Sequence, residues 1–310
     1  MHIVVTGGAG FIGSHLINRL LNEGHTITCV DNLLTGCESN IRPFLKSKRF
    51  RFIKKDIIDI NFLDFDTHID QIYNLACPAS PVKYQSDPIH TIKTNTIGII
   101  NILEVAKHFN ARILQASTSE VYGDPLIKKQ SEDYLGNVNT IGKRACYDEG
   151  KRIAETLFSD YNRLYNTDVR IARIFNTYGE NMQSDDGRVV TNFIHQAMTG
   201  KPLTVYGKGL QTRSFCYISD LIEGLVRLMN VDLEFCYPVN LGNPEEVSIM
   251  DVAETILDLT NSSSVISFND LPEDDPKQRN PDISRAESLL NWKPLVSLDE
   301  GIRNILSSLK

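Results

Sequence analysis

TGGAGFIG, residues 6–13, decides the fold of this chain because two different hydrophobic patterns meet in it. A short apolar run, typical of a strand, ends where the stretch begins, and apolar side chains at helical spacing follow it. Gly7, Gly10 and Gly13 give the spacing G-x-x-G-x-x-G. Glycine permits a tight turn and lets the backbone approach a pyrophosphate, which the N-terminus of a helix attracts. The stretch therefore predicts a dinucleotide-binding strand–turn–helix unit.

An acidic residue supports this interpretation. Asp31 ends the next predicted strand, 18 residues after Gly13. A carboxylate at this position can hydrogen-bond the ribose hydroxyls of the adenosine half and would repel a 2′-phosphate, so the sequence predicts NAD rather than NADP. The alternative is an accidental glycine turn with a surface aspartate, which leaves the strand–turn–helix context unexplained.

Strand and helix patterns alternate along the first half, which is typical of βαβ units around a buried parallel sheet. The predicted strands are residues 3–6, 26–31, 51–53, 71–76, 112–117 and 169–175, and the predicted helices are 11–22, 91–109 and 146–162. In the second half we predict helices at 189–199, 219–229, 249–260 with Ser248 as N-cap, and 298–309, and strands at 203–205 and 238–241. Residues 272–281 hold three prolines and predict a loop.

These patterns predict an α/β fold in which a Rossmann-type, doubly wound parallel sheet carries a smaller C-terminal α/β substrate domain. We place the NAD-binding domain at residues 1–175 and the nucleotide-sugar-binding domain at 176–310, with some later segments returning to the first. The chain length of 310 residues allows two closely packed domains.

Bulk composition excludes several classes of protein. The net charge of -7 argues against nucleic acid as the main partner, so any phosphate site must be built locally. The six cysteines contain no C-x-x-C pair, which predicts reduced thiols, neither disulfides nor a metal site, and a cytoplasmic protein. No apolar run is long enough to predict a signal peptide or a membrane span.

Three residues form a candidate catalytic group. Tyr147 and Lys151 make Y-x-x-x-K within a predicted helix, which puts both on one face. We expect the ammonium to stabilise the phenolate and so lower the pKa of Tyr147, and to reach the nicotinamide ribose. Alone, the pair is common by chance and is more typical of an exposed helix face. Thr118 strengthens the interpretation because it follows a predicted strand, where open α/β sheets bind ligands.

The glycine turn, Asp31, Thr118 and the Tyr147/Lys151 pair, in this order, resemble the extended short-chain dehydrogenase/reductase family over the whole chain. The resemblance implies a seven-stranded Rossmann sheet, a C-terminal nucleotide-sugar domain and tightly held NAD. It also implies a homodimer, usually formed through two helices of each subunit.

Longer blocks are similar to one branch of that family, the UDP-glucuronate decarboxylases (UDP-xylose synthases). The blocks are LACPASP (75–81), IKTNTIG (92–98), ASTSEVYGDP (116–125), GKRACYDEGKRIAE (142–155), RIFNTYG (173–179), DGRVVTNF (186–193), PLTVYGKGLQTRSFCYISDL (202–221) and VNLGNPEE (239–246). The resemblance implies the substrate UDP-glucuronate and its decarboxylation to UDP-xylose and CO2 through a 4-keto sugar, with NAD regenerated in each cycle.

One position separates this chemistry from a related one. Nucleotide-sugar 4,6-dehydratases carry an Asp that protonates the departing C6 hydroxyl where this chain has Ser119. A serine is a poor proton donor to a leaving group, whereas CO2 leaves unaided. We expect Tyr147 to remove the proton of the C4 hydroxyl, and Thr118 and Tyr147 to hold the enolate oxygen. Arg279 is expected to read or gate the C6 carboxylate, and Glu120 to position water or sugar or to orient Arg279.

The resemblance also extends to binding residues. The predicted catalytic residues are Thr118, Glu120, Tyr147, Lys151 and Arg279. The predicted cofactor-binding residues are Gly7, Gly10, Phe11, Ile12, Gly13, Asp31, Asn32, Thr35, Gly36, Asp56, Ile57, Leu75, Ala76, Cys77, Thr94, Tyr147 and Lys151. The predicted substrate-binding residues are Lys93 near the sugar, Ser119, Asn176, Arg188 and Arg213 on the diphosphate, Tyr206 stacked on uracil, Gln211, and Arg279.

Two other functions stay open at this point. A UDP-sugar 4-epimerase of the same fold would release no CO2. A non-catalytic NAD-binding sensor would keep the glycine turn, but nothing would require Thr118, Tyr147 and Lys151 together.

Overall fold

The computed structural model describes residues 1–183, 187–232, 236–270 and 279–309. Its strands are β1 (His2–Thr6), β2 (Thr26–Asp31), β3 (Phe50–Lys54), β4 (Gln71–Asn74), β5 (Arg112–Thr118), β6 (Val169–Ile174), β7 (Thr177–Tyr178), β8 (Leu203–Tyr206), β9 (Thr212–Ser214), β10 (Cys216–Tyr217), β11 (Pro238–Leu241), β12 (Glu246–Ser248) and β13 (Ile266–Asn269). Its α-helices are α1 (Phe11–Asn22), α2 (Glu38–Ile41), α3 (Pro81–Ser86), α4 (Pro88–Lys93), α5 (Ile99–Phe109), α6 (Ala145–Tyr165), α7 (Val189–Met198), α8 (Ile218–Asn230), α9 (Ile249–Thr260), α10 (Ser284–Leu290) and α11 (Leu298–Ser308).

Seven parallel strands form the main sheet, in the order β11-β6-β5-β4-β1-β2-β3. The strand order reverses at β1, which pairs with β2 on one side and β4 on the other. Such a reversal opens a crevice at the carboxyl ends of the strands, where ligands bind in open α/β sheets. The predicted fold class, a Rossmann-type doubly wound sheet, is confirmed.

Both faces of the sheet are covered, as a parallel sheet requires. Ile3 and Val5 of β1 point into one core and Val4 into the other. The first core contains side chains of α1 and α8, and the second contains side chains of α5 and α6. Apolar, β-branched side chains on both faces are what make this segment a central strand.

The predicted elements agree with the structure except where the local pattern is short. The predicted helix 91–109 is continuous but consists of α4, a π-helical turn at Thr94–Gly98 and α5. Ser248 caps α9 as predicted, and a reciprocal bond with Asp251 completes a capping box. The strand predicted at 203–205 is β8, whereas the short helices α2, α3 and α10 and the strands β9, β12 and β13 were not predicted, since they are too short to show a period.

The C-terminal half contributes one strand to the main sheet and forms separate two-stranded sheets with others. Strands β8 and β13 pair in parallel and β9 and β12 pair antiparallel, away from the main sheet. Strand β11 instead returns to the main sheet and pairs with β6. The domain boundary at 175/176 stays a prediction. Most of the predicted loop 272–281 and the start of the block 186–193 lie outside the described residues.

Within the described ranges, no helix is both long enough and apolar enough to cross a membrane.

Candidate active site

A cavity of about 840 Å³ lies at the carboxyl ends of the sheet strands. Residues that end or follow β1, β2, β4, β5 and β6 all line it, and side chains from the C-terminal half close its other side. Its wall contains every residue predicted above for cofactor, catalysis or substrate, with the single exception of Lys93. The fold therefore brings together residues that are as far apart in the chain as Gly7 and Arg279.

The glycine turn fits closely against the end of β4. Gly7 has a φ of +65°, and a Cβ there would lie 2.8 Å from the carbonyl carbon of Leu75. A Cβ on Gly13 would lie 2.4 Å from the carbonyl oxygen of Gly7. Helix α1 begins after Gly10 with no side-chain cap and no acidic residue in its first turn. This arrangement suits a pyrophosphate at the helix N-terminus, so these residues fit a dinucleotide.

Asp31 is held beside this turn at the end of β2. Its carboxylate accepts hydrogen bonds from the backbone N–H of Ala9 at 3.0 Å and of Leu33 at 2.8 Å. Burial raises the pKa of Asp31, and these two bonds act in the opposite direction. A Cβ on Gly36 would lie 2.9 Å from both carboxylate oxygens, so a larger residue there would push the carboxylate out of this position. The oriented carboxylate suits a ribose diol, as predicted.

Asp56 forms a second polar cluster on this side of the cavity. Its Oδ2 accepts a hydrogen bond from Nδ2 of Asn32 at 2.6 Å and lies 2.8 Å from Nε2 of His90. Burial acts to raise the pKa of Asp56, but bonds from the Ile58 backbone, His90 and Asn32 hold it below its ordinary value. His90 was not predicted as a site residue, because it lies just before the block 92–98 and belongs to no motif in the sequence.

The catalytic group is buried. Tyr147 is 6% exposed, Lys151 3% and Thr118 8%. The ammonium of Lys151 donates to the carbonyl of Ala116 at 3.0 Å and lies 5.8 Å from the centre of the Tyr147 ring. Burial raises the pKa of Tyr147, whereas a side-chain hydrogen bond with Thr118 lowers it. The predicted direction was therefore wrong, because the sequence does not reveal how strongly burial opposes the phenolate.

Tyr84 is a residue that the sequence interpretation missed. It lies on α3, between the sequence blocks 75–81 and 92–98. Its side chain is 1% exposed and lines the cavity. Its ring stacks on that of Tyr147, with centroids 4.8 Å apart and planes 6° from parallel. Its carbonyl accepts a bond from Oγ1 of Thr91 at 3.1 Å. Stacking of this kind restricts the rotation of the Tyr147 ring.

A cluster of charges stands next to the tyrosine. Glu120, on the turn after β5, contacts both Arg279 and Arg144. Burial acts to raise the pKa of Glu120, but the two guanidinium groups lower it to about 2. Asp148 follows Tyr147 in α6, and burial together with the negative charge of Glu120 raises its pKa to about 7. Glu120 and Arg279 were predicted, whereas Arg144 and Asp148 were not.

The side chains predicted for the nucleotide end line the same cavity. Arg213 donates to the carbonyl of Thr212 at 2.9 Å, and Gln211 donates to the carbonyl of Tyr206 at 2.8 Å. Tyr206 is 45% exposed, so its ring is accessible for stacking. Arg188 and Asn176 also lie in the wall.

Lys93 is the one predicted residue that the structure leaves outside. It lies on the exposed side of α4, whereas Thr91 and Thr94 on the same segment are buried. The hydroxyl of Thr94 bonds back to the carbonyl of His90 at 2.9 Å, and Thr94 reaches the cavity wall. The structure therefore gives no support to a contact between Lys93 and the sugar, which stays a prediction.

Residues 3–236 match the NAD dependent epimerase/dehydratase family. The chain belongs to this family. The chain is 53% identical to UDP-glucuronic acid decarboxylase 6 of Arabidopsis thaliana over 303 residues. The alignment covers 97% of this chain and 87% of that protein. The chain is 52% identical over 304 residues to UDP-glucuronic acid decarboxylase 1 of Danio rerio, covering 98% of this chain and 71% of that protein.

Two solved structures of nucleotide-sugar epimerases have the same fold. UDP-glucuronic acid 4-epimerase from Bacillus cereus, solved in complex with UDP-glucuronic acid and NAD, matches with a TM-score of 0.89 and 31% identity over 100% of both chains. UDP-glucose 4-epimerase from Thermotoga maritima matches with a TM-score of 0.91 at 24% identity over 100% of both chains, a likeness that bears on the fold alone. In the described part of the chain, no group of three or more His, Cys, Asp or Glu side chains is arranged to hold a metal ion.

Proposed function

We propose that this protein is an NAD-dependent UDP-glucuronate decarboxylase that forms UDP-xylose and CO2 and regenerates its cofactor in each cycle. The observation that carries the proposal is the Glu120–Arg279 pair in the cavity wall, where Arg279 Nη2 lies 2.9 Å from Glu120 Oε2. It places a buried guanidinium near Thr118 and Tyr147, where the C6 carboxylate of a uronate would lie. The decarboxylases that match at 52–53% identity over nearly the whole chain support the same substrate.

The cofactor half of the cavity is built for NAD. Gly7, Gly10 and Gly13 would hold its pyrophosphate at the start of α1, and Asp31 would bind its adenosine ribose. Lys151 binds the nicotinamide ribose. NAD held there would supply reversible hydride transfer at C4 of the sugar, so that no net oxidation results. The other predicted cofactor contacts, from Phe11 to Thr94, surround these groups in the same wall.

Tyr147 is the proton-transferring residue. It removes the proton of the C4 hydroxyl as the 4-keto sugar forms, and returns a proton when the C4 hydroxyl is restored. The carboxylate is now β to a ketone, so the C5–C6 bond breaks and its electron pair enters the enolate. Thr118 and Tyr147 donate hydrogen bonds to the enolate oxygen. A proton then adds to C5, and the whole cycle consumes one proton for each CO2 released.

Arg279 holds the carboxylate, and Glu120 orients Arg279. A guanidinium suits a carboxylate because its planar fork matches both oxygens. Ser119, which is 2% exposed, stands where a dehydratase would need an acid, so loss of water from C6 is disfavoured. At the other end of the cavity, Arg188 and Arg213 pair with the diphosphate. Tyr206, Gln211 and Asn176 receive the uridine, and residues 176–310, apart from segments such as β11 that return to the main sheet, form the nucleotide-sugar-binding part of the chain.

We also propose a homodimer. Large apolar side chains remain exposed along one side of the α4–α5 segment and on α6, among them Ile92 at 42%, Ile100 at 41% and Ile153 at 40%. A second copy of the chain would cover them, in keeping with the two-helix interface that the family resemblance implies. Sedimentation should give a dimer for the native protein and a monomer for Ile100→Glu. The exposed Leu295, at 77%, provides the control Leu295→Glu, which should stay dimeric.

The six cysteines support a cytoplasmic location. All six are free thiols, and Cys29, Cys146 and Cys216 are buried. Cells are quenched in acid, and the denatured protein is then treated with a thiol-alkylating reagent. Its mass should show that all six cysteines have been alkylated. A protein with oxidised cysteines would contradict this location.

The decisive experiment for the activity is incubation of the purified protein with UDP-glucuronate, with CO2 and nucleotide sugars followed by mass spectrometry and NMR. We expect UDP-xylose and CO2 without net NADH. UDP-galacturonate without CO2 would replace the proposal by the epimerase. A protein that keeps bound NAD but converts nothing would be a sensor. Tyr147→Phe should abolish turnover and leave NAD affinity within about twofold.

A further inference from the structure

Arg144 takes part in the active site in a way that neither the sequence pattern nor the proposed mechanism assigns. It immediately precedes α6, three residues before Tyr147, and its guanidinium lies in the cavity wall. Its side chain is 19% exposed. It does not cap the helix that it precedes, since no side-chain cap bond forms there. Its contacts are instead directed to acidic groups beside the substrate space.

The guanidinium of Arg144 is placed between two carboxylates. Its Nη2 contacts Oε2 of Glu120, and its Nε lies 3.7 Å from Oδ2 of Asp148, four residues later on α6. Oε2 of Glu120 is also the atom that Arg279 Nη2 approaches at 2.9 Å, while Arg279 Nε lies 3.3 Å from Oε1. One carboxylate oxygen is thus shared by two guanidinium groups that come from distant parts of the chain.

These contacts form a chain from the catalytic helix to the residue that faces the substrate carboxylate. Asp148 and Arg144 sit at the start of α6, Glu120 follows β5, and Arg279 comes from the C-terminal part of the chain, where it is 2% exposed. Because charge-assisted bonds are short and directional, moving Arg144 would let Glu120 rotate, and Arg279 would lose its aligned partner. The consequence would fall on carboxylate recognition and not on the nucleotide end.

We propose that Arg144 is a positioning residue: by fixing Glu120 through a shared oxygen, it sets the place of Arg279 and thereby the selectivity for a uronate over a neutral sugar. The inference rests on the proposed function, because it takes the C6 carboxylate as the group that Arg279 reads. An arginine is required for the full effect, since its fork reaches Glu120 and Asp148 together, whereas the ammonium of a lysine is a single point charge.

The test compares two ligands that differ only at C6, UDP-glucuronate and UDP-glucose. Binding is measured by calorimetry on the NAD-loaded Tyr147→Phe protein, so that no turnover interferes. Adding Arg144→Gln should weaken UDP-glucuronate by about tenfold to a hundredfold, the equivalent of one lost charge-assisted bond, and leave UDP-glucose within about threefold. Arg144→Lys should fall between the parent and Arg144→Gln.

A double-mutant cycle supplies the second readout. If Arg144 acts through Arg279, Arg144→Gln combined with Arg279→Gln should bind UDP-glucuronate within about threefold of Arg279→Gln alone. Effects that multiply, or an equal loss for both ligands, would overturn the proposal. Arg152→Gln is the matched control, because Arg152 lies on the same helix and donates to the carbonyls of Val121 at 2.9 Å and Leu135 at 2.8 Å. It should leave the ratio of the two affinities unchanged.

The same titrations separate this inference from the function on which it rests. If the parent protein with intact Arg144 binds UDP-glucose as tightly as UDP-glucuronate, the carboxylate is not recognised, and the proposed substrate and the role of Arg144 both fail. If the parent protein prefers UDP-glucuronate and Arg144→Gln keeps that preference, only the role of Arg144 fails.

Discussion

Replacing Asp148 by Asn should make the protein more stable at neutral and alkaline pH. The side chain of Asp148 is 10% exposed, and its Oδ1 atom is buried without a hydrogen-bond partner in the described structure. Burial, and then the negative charge of Glu120, raise its pKa from 3.8 to about 7, against the opposing effect of Arg144. Between about pH 4 and pH 7, the folded protein therefore keeps a proton on Asp148, whereas the unfolded chain has released it.

The sign of the effect follows from proton linkage. Because the folded state binds the extra proton, the free energy of unfolding falls as the pH rises from about 4 to about 7, and it changes no further above that. At 1.36 kcal/mol for each unit of pKa, the full effect is about 4 kcal/mol, and the part that falls between pH 5 and pH 8 is about 3 kcal/mol. Asn has nearly the same shape and carries no proton to lose, so the variant escapes this loss.

Urea unfolding at pH 5, 6, 7 and 8 measures the effect, and the fluorescence of Trp292, which is 3% exposed and the only tryptophan, reports it. The free energy of unfolding of Asp148→Asn minus that of the native protein should grow by about 3 kcal/mol from pH 5 to pH 8. Asp258→Asn, on the exposed side of α9, is the control for removing one carboxylate from the chain. Parallel pH curves for Asp148→Asn and the native protein would refute the reasoning.

Three further substitutions test the cavity. Gly13→Ala places a methyl group 2.4 Å from the carbonyl oxygen of Gly7, whereas the methyl group of Gly10→Ala would lie 3.1 Å from the same atom. Titration with NAD should therefore show a far larger loss of affinity for Gly13→Ala than for Gly10→Ala. Equal losses would contradict the close packing. Tyr84→Leu removes the ring that stacks on the catalytic tyrosine, and kcat should fall by about two- to tenfold, whereas Tyr84→Phe, which keeps the stack, should stay near the native value in steady-state assays. Lys93→Ala should leave kcat/KM for UDP-glucuronate within about twofold, because substitutions of exposed residues have small effects. A larger loss would mean that Lys93 contacts the substrate.

The fold was predictable because its signals are local and repeated. The apolar runs of β1 and β2, the glycine turn between β1 and α1, and Asp31 define the Rossmann unit without any long-range information. The topology that brings Thr118 and Tyr147 together then follows from the rule that ligands bind at the carboxyl ends of parallel strands. Short helices such as α3 escaped because six residues show no period.

The active site was predictable only as far as individual residues carry a known pattern. Arg144 and Asp148 had a usable signal, since they lie four residues apart on either side of Tyr147 and so share a helix face with each other. Tyr84 had none, because its stacking partner lies 63 positions away in the chain. The pKa of Tyr147 was beyond reach for another reason: burial depends on every element that surrounds the ring, and the sequence pattern indicates only its immediate neighbours.

Strand β11 has a consequence for how the protein is made. It pairs with β6 from Ile171 to Ile174, and its Asn240 donates to the carbonyl of Gln130 at 2.9 Å. A ribosome that adds roughly 5–20 residues per second has completed β6 several seconds before β11 exists. During that interval the sheet presents an unpaired edge on which another nascent chain can add a strand. Residues 1–175 released alone would keep that edge permanently, so they should associate with one another, whereas a separately supplied C-terminal half containing β11 would close the edge and restore solubility.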